Sequence, residues 1–183
     1  MSEIDRLLSR YQEQISIPWN AIRSDAERTL FVIYGRTKER QLRYRFDEFR
    51  QATEAIGKRW KVLDLTDAFP KWFAAHEYRD EYFEHPDDVL GYNEGRIPDF
   101  EKDMIALLTE QIAADATAEH AIAILGVGAL LGVAKVSALM KRIAASVPGR
   151  LVIFFPGEKV DNNYRLLGAR DGWDYLATAI TAE

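Results

Sequence analysis

The stretch Leu30-Phe31-Val32-Ile33-Tyr34, followed at once by Gly35, sets the fold class of this chain. Two further runs have the same form: residues 121–125 are followed by Gly126, and residues 151–155 are followed by Pro156-Gly157. Short apolar runs without polar alternation are typical of strands that are buried on both faces of a parallel sheet. The three runs therefore predict the centre of such a sheet.

Helical periodicity fills the intervals between these runs. Apolar residues recur at steps of three and four in segments 42–56, 69–83, 98–112 and 133–143. Gly57 stands where glycine ends a helix, and Pro98 stands where proline opens one. Residues 60–65 and 173–180 are two further strand candidates, the second at a sheet edge, and residues 4–15 predict an additional helix. This alternation predicts a three-layer α/β domain, with a mostly parallel sheet and helices on both faces.

Composition favours one domain and excludes several classes of site. The chain has 183 residues, 48% of them hydrophobic and 29% charged, and a formal net charge of −5. The sequence contains no cysteine, which excludes disulfide scaffolds, thiol nucleophiles and thiolate zinc sites. We expect residues 1–183 to form a single domain, with a helical extension at 1–27 and an exposed loop at 84–98. Neither a signal peptide nor a membrane-spanning run is apparent, so we expect a cytoplasmic protein.

The segment Gly126-Val127-Gly128-Ala129-Leu130-Leu131-Gly132 lies where a phosphate loop would lie, between a strand and a helix. Its spacing matches neither phosphate-binding pattern. A P-loop needs a lysine and a serine or threonine after its second glycine, and the dinucleotide motif needs glycine where Leu131 stands. We therefore expect a tight strand-to-helix turn in a P-loop-NTPase-like topology that lacks the phosphate loop. No bound cofactor is expected.

Three carboxylates are predicted at the carboxyl edge of the sheet, where α/β domains bind ligands. Asp64, Asp67 and Glu158 could together hold Mg²⁺, and the chain would then be a metal-dependent nuclease or phosphotransferase. Asp67 is equally well explained as the N-cap of the following helix. No Gly-x-Ser-x-Gly motif and no histidine cluster accompany these residues. We favour a protein without enzymatic activity and without a bound metal, and the metal-dependent enzyme remains the alternative.

Basic residues concentrate on the first long helix. Arg36, Arg43 and Arg50 recur every seven residues along one flank, with Arg40 beside them. Such a stripe can contact DNA phosphates, pair with acids on its own helix, or meet an acidic protein partner. The net charge of −5 weakens the DNA interpretation, which remains open.

The segment from residue 158 to residue 173 combines turn residues with aromatic and charged side chains. An ordinary solvent loop would hold fewer large apolar residues, so we expect this segment to pack on its own domain or to bind a partner. Tyrosine, tryptophan and arginine are common anchors of protein interfaces. The candidate partner-binding residues are Glu158, Asn162, Asn163, Tyr164, Arg165, Arg170, Asp171 and Trp173.

Four segments resemble the B component of the BREX bacteriophage-exclusion systems, the BrxB family. They are Pro18-Trp19-Asn20, residues 60–69 (WKVLDLTDAF) with 77–83, residues 126–132, and residues 149–175 (GRLVIFFPGEKVDNNYRLLGARDGWDY). The resemblance covers nearly the whole chain and implies an accessory role in phage resistance. It also implies partners within a system that contains a DNA methyltransferase, a large ATPase and a PglZ-type protein, with the PglZ-type protein as the nearest. The family carries no firmly assigned catalytic activity, which implies a degenerate NTPase-like domain that acts as a scaffold.

Overall fold

The computed structural model describes residues 1–22, 24–90, 96–161, 163–168 and 177–183. The strands are β1 (Thr29–Tyr34), β2 (Arg59–Asp64), β3 (His120–Leu125), β4 (Arg150–Val160), β5 (Asn163–Leu166) and β6 (Thr178–Ile180). The helices are α1 (Glu3–Ile15), α2 (Asp25–Arg28), α3 (Glu39–Ala55), α4 (Ala68–Ala74), α5 (Arg79–Glu84), α6 (Asp87–Leu90), α7 (Ile97–Asp115) and α8 (Val136–Ala144). Short 3-10 turns occur at Trp19–Ala21, Arg36–Lys38 and Val127–Leu130.

Five strands run parallel in the order β2-β3-β4-β1-β6, and β5 folds back antiparallel on the end of β4. The three apolar runs are the three inner strands, and all residues of β1 and β3 are buried. The weaker strand candidates form the two edges, with β6 covering only the last part of its predicted range. Residues 173–176 of that range lie outside the described residues. The predicted α/β class is confirmed.

Helices cover both faces of the sheet and make three layers. Leu30 and Val32 of β1 face α1 and α3, whereas Phe31 and Ile33 face α7 and α8. This alternation along one strand is the physical reason why a run of apolar residues is needed without interruption. The predicted N-terminal extension contributes directly to one layer, because α1 buries a stripe of side chains, namely Ile4, Leu7, Tyr11 and Ile15.

The aromatic segment 69–83 forms two helices, α4 and α5, where the periodicity predicted one. Phe69 and Trp72 pack against Phe100 of α7, with ring centroids 5.1 and 5.4 Å away. Phe83 of α5 is 73% exposed. No single apolar face therefore spans both halves, and the chain turns between them.

The predicted exposed loop at 84–98 is partly helical. It contains α6 and the beginning of α7, and Val89 within it is buried. Pro98 lies in the first turn of α7, as predicted. Residues 91–95 lie outside the described residues. Across the described part of the chain, no helix combines the length and the apolar character that crossing a membrane requires.

Candidate functional site

The neighbouring strands β1 and β4 mark the place where α/β domains usually bind ligands. The chain leaves β1 toward β2 on one side of the sheet, and it leaves β4 toward β6 on the other side. Ligands bind outside the carboxyl ends of strands at such a reversal. A cavity of about 330 Å³ lies there, and Glu3, Gly35, Glu158 and Lys159 contribute to its lining.

A carboxylate of the same chain binds the backbone amide that follows β1. The backbone amide of Gly35 donates a hydrogen bond to Oε1 of Glu3 at 2.7 Å. Glu3 is held in place because it opens α1, whose start is fixed by a reciprocal capping box between Ser2 and Asp5. Backbone amides in this position are the groups that hold phosphate in nucleotide-binding domains. In this chain, Glu3 accepts the Gly35 amide hydrogen bond.

The glycine-rich segment after β3 is a packed turn, as predicted. Gly126 has a φ of +80°, and a Cβ placed on it would lie 2.5 Å from the amide nitrogen of Thr66. The following 3-10 turn buries Val127 and Leu130. Both side chains belong to the hydrophobic core, so the segment packs onto the domain as a turn.

Asp64 and Thr66 connect the end of β2 to helix α3 through hydrogen bonds. Its Oδ1 accepts hydrogen bonds from the amide of Thr66 at 2.9 Å and from the Thr66 hydroxyl at 2.5 Å. Arg43 donates to the same hydroxyl at 2.7 Å and lies 3.4 Å from Oδ2 of Asp64. Partial burial opposes ionisation, but the Thr66 hydrogen bonds and the charge of Arg43 prevail and lower the pKa of Asp64.

The other two predicted metal ligands do not join Asp64. Asp67 occupies the N-cap position of α4, but its side chain makes no capping hydrogen bond and instead lies 3.9 Å from Lys71. Glu158 lies near the end of β4, two strands away from β2 in the sheet, and faces Arg165 at 3.8 Å. Within the described ranges, no three histidine, aspartate or glutamate side chains are grouped so that they could hold a metal ion. The structure thus does not bring Asp64, Asp67 and Glu158 together as a group of three metal ligands.

The end of β4 leaves the sheet and pairs with β5 as a hairpin. Glu158 lies opposite Arg165, and Lys159 lies opposite Tyr164. Asp161 begins the hairpin turn with a φ of 55°, a conformation that aspartate tolerates better than most residues. The hairpin exposes Glu158 and Asn163 and half exposes Arg165, so these three candidates are accessible to a partner.

Tyr164 belongs to the core, which favours packing on its own domain, one of the two roles predicted for this segment. The residue is only 3% exposed, and its hydroxyl donates a hydrogen bond to the carbonyl of Ala177 at 3.2 Å. Its ring lies 4.8 Å from that of Phe31. Burial raises the pKa of the Tyr164 phenol. Four other predicted partner-binding residues lie outside the described residues: Asn162, Arg170, Asp171 and Trp173.

The predicted arginine stripe divides into two parts. Arg43 donates to Glu39 at 2.6 Å, and Arg50 donates to Asp47 at 2.6 Å and to Glu54 at 2.7 Å. These acids partly neutralise the positive charge of Arg43 and Arg50, which lowers the attraction of this part of the stripe for DNA phosphates. Arg36 and Arg40, at the near end, are exposed and have no ion pair with any residue that the structure describes.

Tyr44 is an additional surface residue that was not predicted from the sequence. It is 90% exposed and lies one helical turn beyond Arg40 on α3. The helical periodicity could have indicated its exposure, because Tyr44 falls outside the apolar face that contains Leu42 and Phe49. An exposed tyrosine beside unpaired arginines is a common composition for a protein interface.

The near end of α3 and the hairpin lie on the same edge of the sheet. A shallow cavity beside Arg40 and Tyr44 is lined by Ser2, whereas its neighbour Glu3 lines the cavity at the base of the hairpin. Strand β4 also contacts the 3-10 turn that contains Arg36. We call the set of Arg36, Arg40, Tyr44, Glu158, Asn163 and Arg165 the carboxyl-edge face.

Comparisons of the chain with protein-family models, with curated proteins and with solved structures give no match.

Proposed function

We propose that the chain is a non-enzymatic scaffold component of a BREX bacteriophage-exclusion complex, which works in the cytoplasm and binds the PglZ-type protein through the carboxyl-edge face. The sequence resemblance supplies the biological setting of this proposal. The observation that carries the binding surface is the 90% exposure of Tyr44 beside Arg40. Other BREX components are further candidate partners.

The hydrogen bond between Glu3 and Gly35 supports a scaffold over a nucleotide-binding enzyme. The Gly35 amide lies at the carboxyl edge of the sheet, where a ligand would bind, and here it joins α1 to the end of β1. The packed turn at Gly126 gives further support, since apolar residues replace the phosphate loop there. The likeness to P-loop NTPases stays a prediction.

The charge distribution favours a protein partner over DNA at this face. Arg36 and Arg40 are the exposed cations of the face that lack an ion pair among the described residues, and Glu158 adds a negative charge beside Arg165. A surface that mixes both signs with an exposed aromatic ring matches the polar interfaces of proteins better than a phosphate-binding stripe.

Co-expression of the chain with the PglZ-type protein of the same operon tests the proposal. We expect a stable complex in size-exclusion chromatography with light scattering, and its mass gives the stoichiometry. Tyr44→Ala, Arg40→Glu and Arg165→Glu should each reduce co-elution while they leave the melting curve unchanged. Arg165→Glu should also abolish phage resistance in cells.

Tyr78→Ala is the matched control, because Tyr78 is a 54% exposed tyrosine that lies outside the carboxyl-edge face. It should co-elute as the unmodified chain does. Separate peaks at every salt concentration would refute the PglZ-type partner. Mg²⁺ binding that disappears in Asp64→Asn would instead support the enzyme alternative. Salt-sensitive DNA binding that weakens in Arg36→Glu and Arg40→Glu would support the nucleic-acid alternative.

A further inference from the structure

A further cavity, of about 580 Å³, lies at the opposite edge of the sheet, where the parallel strands begin. Arg150 is the first residue of β4, whereas Arg28 and Lys58 directly precede β1 and β2. All three cationic side chains line the cavity, together with Trp19 and Glu119. We call this cavity the Arg150 pocket. It shares no residue with the carboxyl-edge face.

Arg150 is a buried cation whose hydrogen-bonding capacity is largely unused. The residue is 2% exposed, and its Nε has no hydrogen-bond partner. Its Nη2 reaches the carbonyl of Ile17 only at 3.4 Å. The guanidinium carbon lies 5.7 Å from the ring centroid of Trp19. A buried charge without a counter-charge is costly, because neither the ring nor one long hydrogen bond replaces its hydration.

The other charges of the pocket are already paired. Lys58 forms an ion pair with Glu119 and also lies 4.9 Å above the Trp19 ring. Arg28 forms an ion pair with Asp25. Arg150 itself forms no ion pair with any carboxylate among the described residues. Burial lowers the pKa of Arg150 to about 10, so the guanidinium is still protonated at neutral pH.

We propose that the Arg150 pocket binds a small organic anion, whose carboxylate or phosphate group accepts hydrogen bonds from the guanidinium of Arg150. The planar fork of arginine matches both groups and can bind either of them through two parallel hydrogen bonds. Arg28 supplies a second donor, since its buried Nε also has no partner.

The remaining lining indicates a ligand with an apolar body. Ile17, Ile56 and Trp19 line the pocket, and Ile17 and Ile56 are partly exposed to solvent. The volume lies within the range of small-molecule sites, which span about 300 to 1,000 Å³. An inorganic ion alone would leave most of this space and the apolar walls unused. The oxyanion is therefore expected at Arg150, with the apolar part of the ligand against the isoleucines.

Isothermal titration of the full chain with phenyl phosphate, phenylacetate and the neutral 2-phenylethanol tests this assignment. We expect at least one of the two acids to bind at least about tenfold more tightly than 2-phenylethanol. The acid that binds more tightly shows whether the pocket prefers a carboxylate or a phosphate group. A titration with inorganic phosphate measures how much of the affinity comes from the apolar part of the ligand. If neither acid binds more tightly than 2-phenylethanol, the proposal is wrong.

Two variants, Arg150→Met and Glu119→Gln, are expected to change the affinity for the acid in opposite directions. Arg150→Met should weaken binding of the better acid at least about tenfold, whereas Arg142→Met, at an exposed position on α8, should not change it. Glu119→Gln removes a carboxylate from the lining and should strengthen binding severalfold. Equal binding by a folded Arg150→Met variant refutes the proposal. If that variant does not fold, unchanged or weaker binding by Glu119→Gln refutes it instead.

Discussion

Glu3 Oε1 accepts a hydrogen bond from the Gly35 amide at 2.7 Å, which connects the first turn of α1 to the end of β1. The two residues are separated by 32 positions in the chain. The contact therefore anchors the N-terminal helix at the edge of the sheet where a ligand would be expected. The amide at the end of β1 thus contributes to the folding of the domain itself.

Removal of the Glu3 carboxylate should destabilise the domain. Glu3→Ala leaves the Gly35 amide without its partner and should lower the free energy of unfolding by about 1 kcal/mol. Glu3→Gln retains an acceptor oxygen and should cost less. Urea denaturation measures both effects, with Glu13→Ala, at an exposed position on the same helix, as the control. A Glu3→Ala variant as stable as the control would show that the hydrogen bond contributes nothing.

Tyr164 should behave as a core residue in mutagenesis. Tyr164→Ala removes a ring that packs against Phe31 and Phe155, and should cost about 3 to 5 kcal/mol of stability. Tyr164→Phe loses only the hydrogen bond to Ala177 and should cost about 1 kcal/mol.

Partner binding separates the two possible roles of Tyr164. A folded Tyr164→Phe variant should co-elute with the PglZ-type protein as the unmodified chain does, whereas Tyr44→Ala should not. Loss of co-elution in Tyr164→Phe with an unchanged melting temperature would place the phenol in the interface after all.

The sequence predicts the sheet well because burial on both faces leaves a strong local pattern. The runs at 30–34, 121–125 and 151–155 are inner strands, and Gly57 ends α3 with a φ of +75°. The pattern is weaker where contacts come from distant residues. Phe69 and Trp72 of α4 pack against Phe100 of α7, and no periodicity within 69–83 could show that α4 must end before α5 begins.

The candidate site depends even more on such long-range contacts. Composition marks Tyr164 and Arg165 equally as interface residues, but alternation along β5 buries the first and half exposes the second. Likewise, Arg43 and Arg40 look alike in sequence, but Arg43 pairs with Glu39 on its own helix and, through the packing of α3 beside β2, also reaches Thr66 and Asp64. The hydrogen bond of Glu3 leaves no local signal, since its acceptor and donor lie on different elements.

Gly157 should resist substitution because another backbone lies directly against it. A Cβ at this position would collide with the carbonyl oxygen of Arg165 on the paired strand β5. Gly157→Ala should therefore open the hairpin and lower the free energy of unfolding by about 1 to 3 kcal/mol. Gly35→Ala is the matched control, since a Cβ there would lie 3.4 Å from Glu3 Oε1, an ordinary van der Waals contact. Thermal unfolding of both variants measures the difference, and equal melting temperatures would contradict the close approach.

Asp64 should contribute to the acid sensitivity of the fold. Its pKa in the folded chain lies below the ordinary value of 3.8, because the hydrogen bonds from Thr66 and the charge of Arg43 outweigh its partial burial. A lowered folded-state pKa gives stability that is present above pH 3.8 and is lost as the pH falls through the folded value. The stability advantage of the unmodified chain over Asp64→Asn should thus be constant near neutral pH and should shrink below pH 3.8. Urea denaturation across this range measures it, with Asp88→Asn, at an exposed position on α6, as the control. An advantage that stays constant down to the acid limit would mean that Asp64 has no ionic role.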